Sequence, residues 1–127
     1  MPFTLSQRSL DRMKGVHPDL IKVVELAIQK TEVEFIVTEG LRTVERQREL
    51  VAAGASKTMN SRHLTGHAVD LAALVGGKVR WDWPLYDKAS QAMKAAASEL
   101  GVSIVWGGDW KSFKDGPHFE LDRKIYP

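Results

Sequence analysis

The chain has 127 residues, 43% of them hydrophobic and 27% charged, enough for one compact domain with a single core and too short for two ordinary ones. It contains no cysteine, which excludes disulfides, thiolate metal sites and cysteine nucleophiles and leaves His, Asp and Glu to hold any metal. A net charge of +2 spread over scattered lysines and arginines lacks the basic tract of a nucleic-acid binder and leaves attraction to an anionic polymer open.

At the N-terminus, MPFTLSQRSL lacks the basic region and apolar run of a signal peptide, and no stretch of about 18 apolar residues follows anywhere in the chain. The chain is therefore expected to be made in the cytoplasm, without stable membrane insertion. From Pro18 to Lys30 the apolar positions Leu20, Val23, Val24, Ala27 and Ile28 follow helical spacing, with Pro18 suited to the first turn. VEFIVT (33–38) has strand composition. Thr43 can cap a helix that runs through Leu50 and Val51 and stops at Gly54. ASKTMNSR (55–62) reads as a loop, AVDLAALV (68–75) as a strand, and VGGKV as a hairpin turn. Pro84 opens a second long helix, closed by Gly101, with an apolar face of Leu85, Ala89, Ala92, Met93, Ala96, Ala97 and Leu100. SIVW and HFELD read as short strands on either side of the glycine-rich, charged loop 107–116. The hairpin and the short spacings favour an antiparallel sheet, hence an α+β fold in a single domain over 1–127. A monomer is the default for so small a domain.

The stretch SRHLTGHAVD (61–70) holds His63 and His67 at i and i+4, with Asp70 three residues beyond His67. A helical histidine pair needs continuous helix across 63–67, which Thr65, Gly66 and the strand-like AVDL disfavour. With a loop followed by a strand, alternation puts Ala68, Asp70 and Ala72 on one face and Val69 and Leu71 on the other. The same alternation pairs His118 with Glu120 on one face of the last strand, opposite Phe119 and Leu121. His63, Asp70 and His118 then make a two-histidine, one-carboxylate set, which suits a catalytic zinc with one position open to water. The spacing equally accommodates ordinary roles: His63 exposed, Asp70 capping a turn, His118 hydrogen-bonded at a strand start.

SRHLTGHAVD also fits the pattern Ser-x-His-x-x-Gly-x-Ala-x-Asp and so resembles the zinc peptidases that cut bacterial peptidoglycan. These are D-Ala-D-Ala carboxypeptidases and dipeptidases and phage-type L-alanyl-D-glutamate endopeptidases, which share a fold with Hedgehog signalling domains. EGLRTVERQRELVAAG resembles the family's Gly-x-Arg-Thr helix start, and WGGDWKSFKDGPHFEL its C-terminal block, so that three motifs in order span residues 33–121. The resemblance implies a small antiparallel sheet flanked by helices and a zinc ion held by His63, Asp70 and His118. His67 occupies the variable place between the motif's glycine and alanine, expected near the cleft mouth.

By the same resemblance Asp115, on the DGPH turn, is the general base toward water and then the general acid toward the leaving amine. Glu120 is the competing base, but only Asp115 matches the motif. The carboxypeptidase and dipeptidase branches usually carry Glu at this place; Asp resembles the endopeptidase branch. Arg42 matches the arginine that stabilises the oxyanion or orients the substrate, with a surface salt bridge as the plain alternative. Ser61, His67, Trp106 and Trp110 are candidate substrate contacts. Asp109 is expected either to orient a ligand histidine from behind or to order the glycine turn. The four tryptophans, including Trp81 and Trp83, suit core or helix-start anchors, and His17 a cap or surface place.

The activity implied is zinc-dependent hydrolysis of the L-alanyl-D-glutamate bond of peptidoglycan stem peptides, in the manner of an endolysin. A D,D-carboxypeptidase or dipeptidase is the alternative. A zinc-containing, non-catalytic wall-binding domain comes third, and the presence of Asp115 and Arg42 argues against it. Release from the cytoplasm would then need a membrane-permeabilising partner.

Overall fold

The computed structural model describes residues 3–56, 58–112 and 114–127; Lys57 and Phe113 of the expected loops lie outside them. A first helix, α1 (Gln7–Arg12), is not signalled by the apolar pattern: it has six residues and buries only Ser9. Ser6 caps it through its hydroxyl, which accepts from Ser9 N at 3.1 Å. The Ser9 hydroxyl in turn accepts from Val37 N at 2.9 Å, tying the helix to the sheet.

Helix α2 (Pro18–Lys30) buries the five apolar residues that helical spacing selects, and its first turn is capped by His17 Nδ1, which accepts from Asp19 N at 3.1 Å. Strand β1 (Glu34–Glu39) leads to α3 (Val44–Ala52), where the Thr43 hydroxyl accepts from Arg46 N. A short 3-10 turn spans Arg62–Thr65, within and just beyond the expected loop. Strands β2 (Ala68–Val75) and β3 (Lys78–Arg80) form the expected hairpin, with Gly76 and Gly77 both at positive φ, which a two-residue turn demands. Helix α4 (Trp83–Leu100) ends at Gly101 in the left-handed region. Strand β4 (Ile104–Trp106), a second 3-10 turn (Gly107–Asp109) and β5 (His118–Leu121) complete the chain.

The sheet is antiparallel, in the order β1-β2-β5-β4, and β3 pairs with the far end of β2. Helices α2 and α4 lie together over one face, where Phe35, Val37, Val69, Leu71, Phe119 and Leu121 join Leu20, Val24 and Met93 in one core. Burial of each such large side chain contributes about 1.5–3 kcal/mol. On α4 the buried stripe runs through Tyr86, Ala89, Ser90, Met93 and Ala97. Leu85 is half-buried and Leu100 exposed, where hydropathy alone places both inside. The packing phase is set by Tyr86 and Met93, and it leaves the two leucines on the flanks.

Candidate active site

Alternation along β2 and β5 sends the apolar residues into the helix-covered core and Asp70, His118 and Glu120 to the opposite face. Asp70 and His118 are direct partners in the antiparallel register, so two strands present two polar side chains to one point. A register shift between Val37 and Glu39 on β1 sets Glu39 opposite Asp70. His63 arrives from outside the sheet, on the 3-10 turn that Ser61 caps by accepting from His63 N at 3.2 Å. Gly66 closes that turn at φ +75°, packed so tightly on the Gly15 carbonyl that no Cβ fits.

His63 Nε2 lies 3.2 Å and His118 Nδ1 3.3 Å from the same Asp70 oxygen, Oδ1. One donor atom from each of the three residues lies within 4.8 Å of the others, and the two rings meet edge-on at 5.1 Å. The opposite ring nitrogens are both engaged: His63 Nδ1 with Gly40 O at 2.9 Å and His118 Nε2 with Glu120 Oε1 at 2.8 Å. Those outer partners can each hold a proton on the outer nitrogen, so that once the inner nitrogens give up the protons they share with Asp70 in the metal-free fold their lone pairs converge on one point, the arrangement by which outer partners fix the tautomers of metal-bound histidines. The cluster can hold a metal ion, and its donors are those of a three-ligand site with an open position.

The electrostatics follow from the same contacts. Burial works to raise the Asp70 pKa, but hydrogen bonds from His118 and His63 outweigh it and hold the carboxyl well below the usual range. Burial works to lower His118, yet the bonds to Asp70 and Glu120 raise it to about 9. Asp115 is pushed up, first by burial and then by the charge of Asp70, with His118, His63 and Arg42 opposing.

The cluster opens into a cleft of about 720 Å³ whose walls include Arg42, Ser61, Trp110 and Asp115. Asp115 is held by its backbone: its N–H donates to Gly107 O at 3.0 Å and its carbonyl accepts from His118 N at 3.2 Å. Gly107 packs against the Asp115 carbonyl closely enough to exclude a Cβ. The Arg42 guanidinium is nearly buried. It donates from Nε and Nη2 to the two oxygens of Glu39 and from Nη1 to Gln47 Oε1, each at 2.7 Å, with Nη2 3.8 Å from Asp70 Oδ2. These bonds use three of its five N–H donors. Arg42 N also donates to His63 O at 2.9 Å, so Gly40 and Arg42 grip His63 through its ring and its backbone.

The structure thus brings His63, Asp70, His118, Asp115, Arg42, Ser61 and Trp110 together, the Trp110 ring lying 5.1 Å from that of His118. It does not bring the other expected residues to the cleft. His67 Nδ1 is bonded to Thr65 Oγ1 at 2.6 Å, and its ring lies 5.7 Å from that of His17. Trp106 is a core residue: it stacks on Phe119 and donates from Nε1 to Gly116 O at 2.7 Å. Asp109 pairs with Lys94 Nζ at 2.7 Å and not with a histidine. The acceptors behind the histidines are Gly40 O and Glu120. Glu120 is no free base, since one oxygen is bonded to His118 and the other lies 3.9 Å from Arg62 and 3.7 Å from Arg123. Among the groups that shape the site, Gly40 O, Glu39 and Gln47 were not singled out in the sequence. The shared strand face of His118 and Glu120 was the one available signal for an outer partner.

Comparison with known proteins gives a consistent result. The model of the phage L-alanyl-D-glutamate peptidase family matches residues 1–126. The L-alanyl-D-glutamate peptidase of Escherichia phage T5 is 32% identical over 130 residues, covering 99% of this chain and 94% of that protein. The crystal structure of the Serratia marcescens L-Ala D-Glu endopeptidase ChiX superposes with a TM-score of 0.91 at 51% identity, over 95% of this chain and 91% of the other. The vancomycin-resistance D,D-dipeptidase VanXYg has a TM-score of 0.55 at 20% identity, over 84% of this chain and 50% of that one, a likeness of fold.

Proposed function

This chain belongs to the phage L-alanyl-D-glutamate peptidase family, and from that premise we propose that it hydrolyses the L-alanyl-D-glutamate bond of peptidoglycan stem peptides with a zinc ion held by His63, Asp70 and His118. The observation that carries the metal assignment is the donor triad within 4.8 Å, each histidine anchored from behind by Gly40 O or Glu120. Two imidazoles and one carboxylate suit zinc better than magnesium or calcium, which prefer all-oxygen shells. When bound, zinc supplies polarisation of the scissile carbonyl and a water acidified to near neutrality.

The chain's own residues supply the rest. Asp115 accepts the proton of the attacking water and returns it to the amine of the departing D-glutamate. Its raised pKa brings it closer to the working pH than an ordinary carboxylate, which suits a group that must both take and give a proton. Arg42, locked in plane by Glu39 and Gln47, lines the cleft and puts its positive charge beside the carbonyl oxygen on which negative charge develops. Ser61 holds the His63 turn, and Trp110 walls the cleft beside His118. Strands β1, β2, β4 and β5 and the two long helices share one core, so these residues act as a single catalytic domain.

The polymer acted on is the cell wall. No helix among the described residues is long and apolar enough to cross a membrane; delivery to the wall by a membrane-permeabilising partner is part of the same proposal. The deciding experiment is mass spectrometry of fragments released from purified peptidoglycan by the zinc-loaded protein. Peptides with a new D-glutamyl N-terminus are the expected product. Release of terminal D-alanine alone would move the cut to the D,D-bond, and intact wall with bound protein would make this a binding domain.

A further inference from the structure

A second, smaller hollow of about 210 Å³ adjoins the cleft, lined by Trp81, Trp83, Tyr86 and the turn from Lys114 to Pro117. Lys114 and Asp115 belong to the walls of both, so the hollow is an extension of the catalytic cleft past the Asp115 turn. Pockets that engulf a drug-sized molecule measure about 300–1,000 Å³; this one takes a single ring. Its lining is aromatic. Trp81 and Trp83 are 58% and 46% exposed, unusual for indoles in so small a domain, and Trp81 leans over Tyr86 with ring centres 6.1 Å apart. Tyr86 is the buried floor: a Cβ on Gly116 would stand 3.3 Å from its ring and 3.4 Å from that of Trp83.

We propose that Trp81, Trp83 and the Lys114–Pro117 turn form a saccharide subsite that receives the muramyl ring carrying the stem peptide. The inference rests on the reading of the cleft as an L-alanyl-D-glutamate hydrolase. In that substrate the L-alanine whose carbonyl is attacked is itself amide-linked to the lactyl group of the sugar. One residue and a short ether bridge therefore separate the reacting carbon from a pyranose, and the hollow begins at the residue assigned as base. A pyranose has an apolar C–H face and a rim of hydroxyls. Exposed indoles bordered by Lys114 and Asp115 match both. Trp81 and Trp83 thus act on specificity, selecting stem peptides still attached to glycan over free peptides.

The test compares two substrates with the same scissile bond: a stem tetrapeptide bearing N-acetylmuramic acid, and the same tetrapeptide with a plain acetyl group on its L-alanine. The ratio of their kcat/KM values is expected to be tenfold or more in the zinc-loaded protein and to fall toward one in Trp81→Ala. A ratio near one in the unaltered protein, or a ratio that Trp81→Ala leaves in place, overturns the subsite. If neither substrate is cut, the hydrolase reading has failed, and a second measurement decides the subsite by itself. In that measurement the N-acetylglucosaminyl-N-acetylmuramic acid disaccharide is titrated into the zinc-loaded protein and the indole N–H resonances are followed. Saturable shifts confined to Trp81 and Trp83 uphold sugar binding, and their absence rejects it. Because it uses the unaltered protein, this measurement also stands if Trp81→Ala does not fold.

Discussion

Arg42 donates to both carboxylate oxygens of Glu39, from Nε to Oε1 and from Nη2 to Oε2, each at 2.7 Å. The fork fixes the plane of a nearly buried guanidinium between Glu39, Gln47 and Asp70, and a lysine ammonium cannot reproduce it. Arg42→Lys is therefore expected to lower kcat on the order of 10²-fold while zinc content stays at the unaltered level. Steady-state kinetics paired with metal analysis checks this. A kcat close to that of the unaltered protein would reduce Arg42 to a structural ion pair.

Asp115→Asn removes a base and no metal ligand. Turnover is expected to fall by about 10²–10⁴-fold, with zinc stoichiometry unchanged. The pH profile carries the second half of the prediction. Burial and then the Asp70 charge raise the Asp115 pKa, and the base must be ionised to accept a proton. Activity should be lost as pH falls through a value above the ordinary carboxylate figure of about 3.9. An acid limb at that ordinary value, or one that survives in Asp115→Asn, would point to another group.

Glu120→Gln keeps the volume of the partner behind His118 and removes its charge. Loss of such an outer carboxylate is expected to weaken zinc by about 10–100-fold. His67→Ala, on the far side of the 3-10 turn, should leave zinc affinity unchanged. Competition with a chromophoric chelator measures both. Equal weakening by the two substitutions would mean that His67 reaches the ion and that the turn has been misread.

His118 in the metal-free fold has its pKa raised to about 9, with burial opposing and the bonds to Asp70 and Glu120 prevailing. At pH 7 it therefore carries a proton that an incoming ion must expel. Zinc affinity should rise about tenfold per pH unit up to about pH 9, with about one proton released per ion at neutrality. The linkage to stability has the opposite sense. The protonated ring stabilises the metal-free fold fully below its ordinary pKa of about 6.5, and this contribution is lost as pH rises through about 9. Calorimetric titration of zinc in buffers of different ionisation enthalpy reads the proton count directly. A buffer-independent heat at pH 7 would contradict the assignment.

The parts of the molecule that were legible are those where one strong periodicity acts alone. Helical spacing located α2, alternation located β2 and β5, and Thr43, Gly54, Gly76, Gly77 and Gly101 marked the ends and turns. Helix α1 escaped because its stability comes from Ser9 bonding to a strand 28 residues away, a contact with no local pattern. Leu85 and Leu100 were misplaced for a similar reason, since α4 turns Tyr86, Ser90, Met93 and Ala97 inward, a phase that hydropathy alone does not reveal. In the site, motif and alternation together picked out the three residues of the cluster that can hold a metal ion. Of the two roles expected of Asp109, orienting a histidine falls away because its side chain pairs with Lys94 from the helix packed alongside while its backbone lies in the glycine turn, and Gly40 was missed because it acts through a carbonyl, which no side-chain pattern reveals.

Of the three candidate metal donors, Asp70 and His118 sit on neighbouring, hydrogen-bonded strands, and only His63 is brought in from a turn, held between Gly40 O and Arg42 N. Opening that turn breaks these two hydrogen bonds together with those from His17 N to Gly66 O and from Arg62 Nη2 to Leu121 O and Tyr126 O, while β2 and β5 stay paired. A metal ion held by these residues would then be released by a local excursion of residues 61–66 and not by global unfolding. The folded protein would load and shed such an ion without unfolding, and chelation should be first order in protein, at a rate matching amide exchange in that turn and independent of chelator concentration.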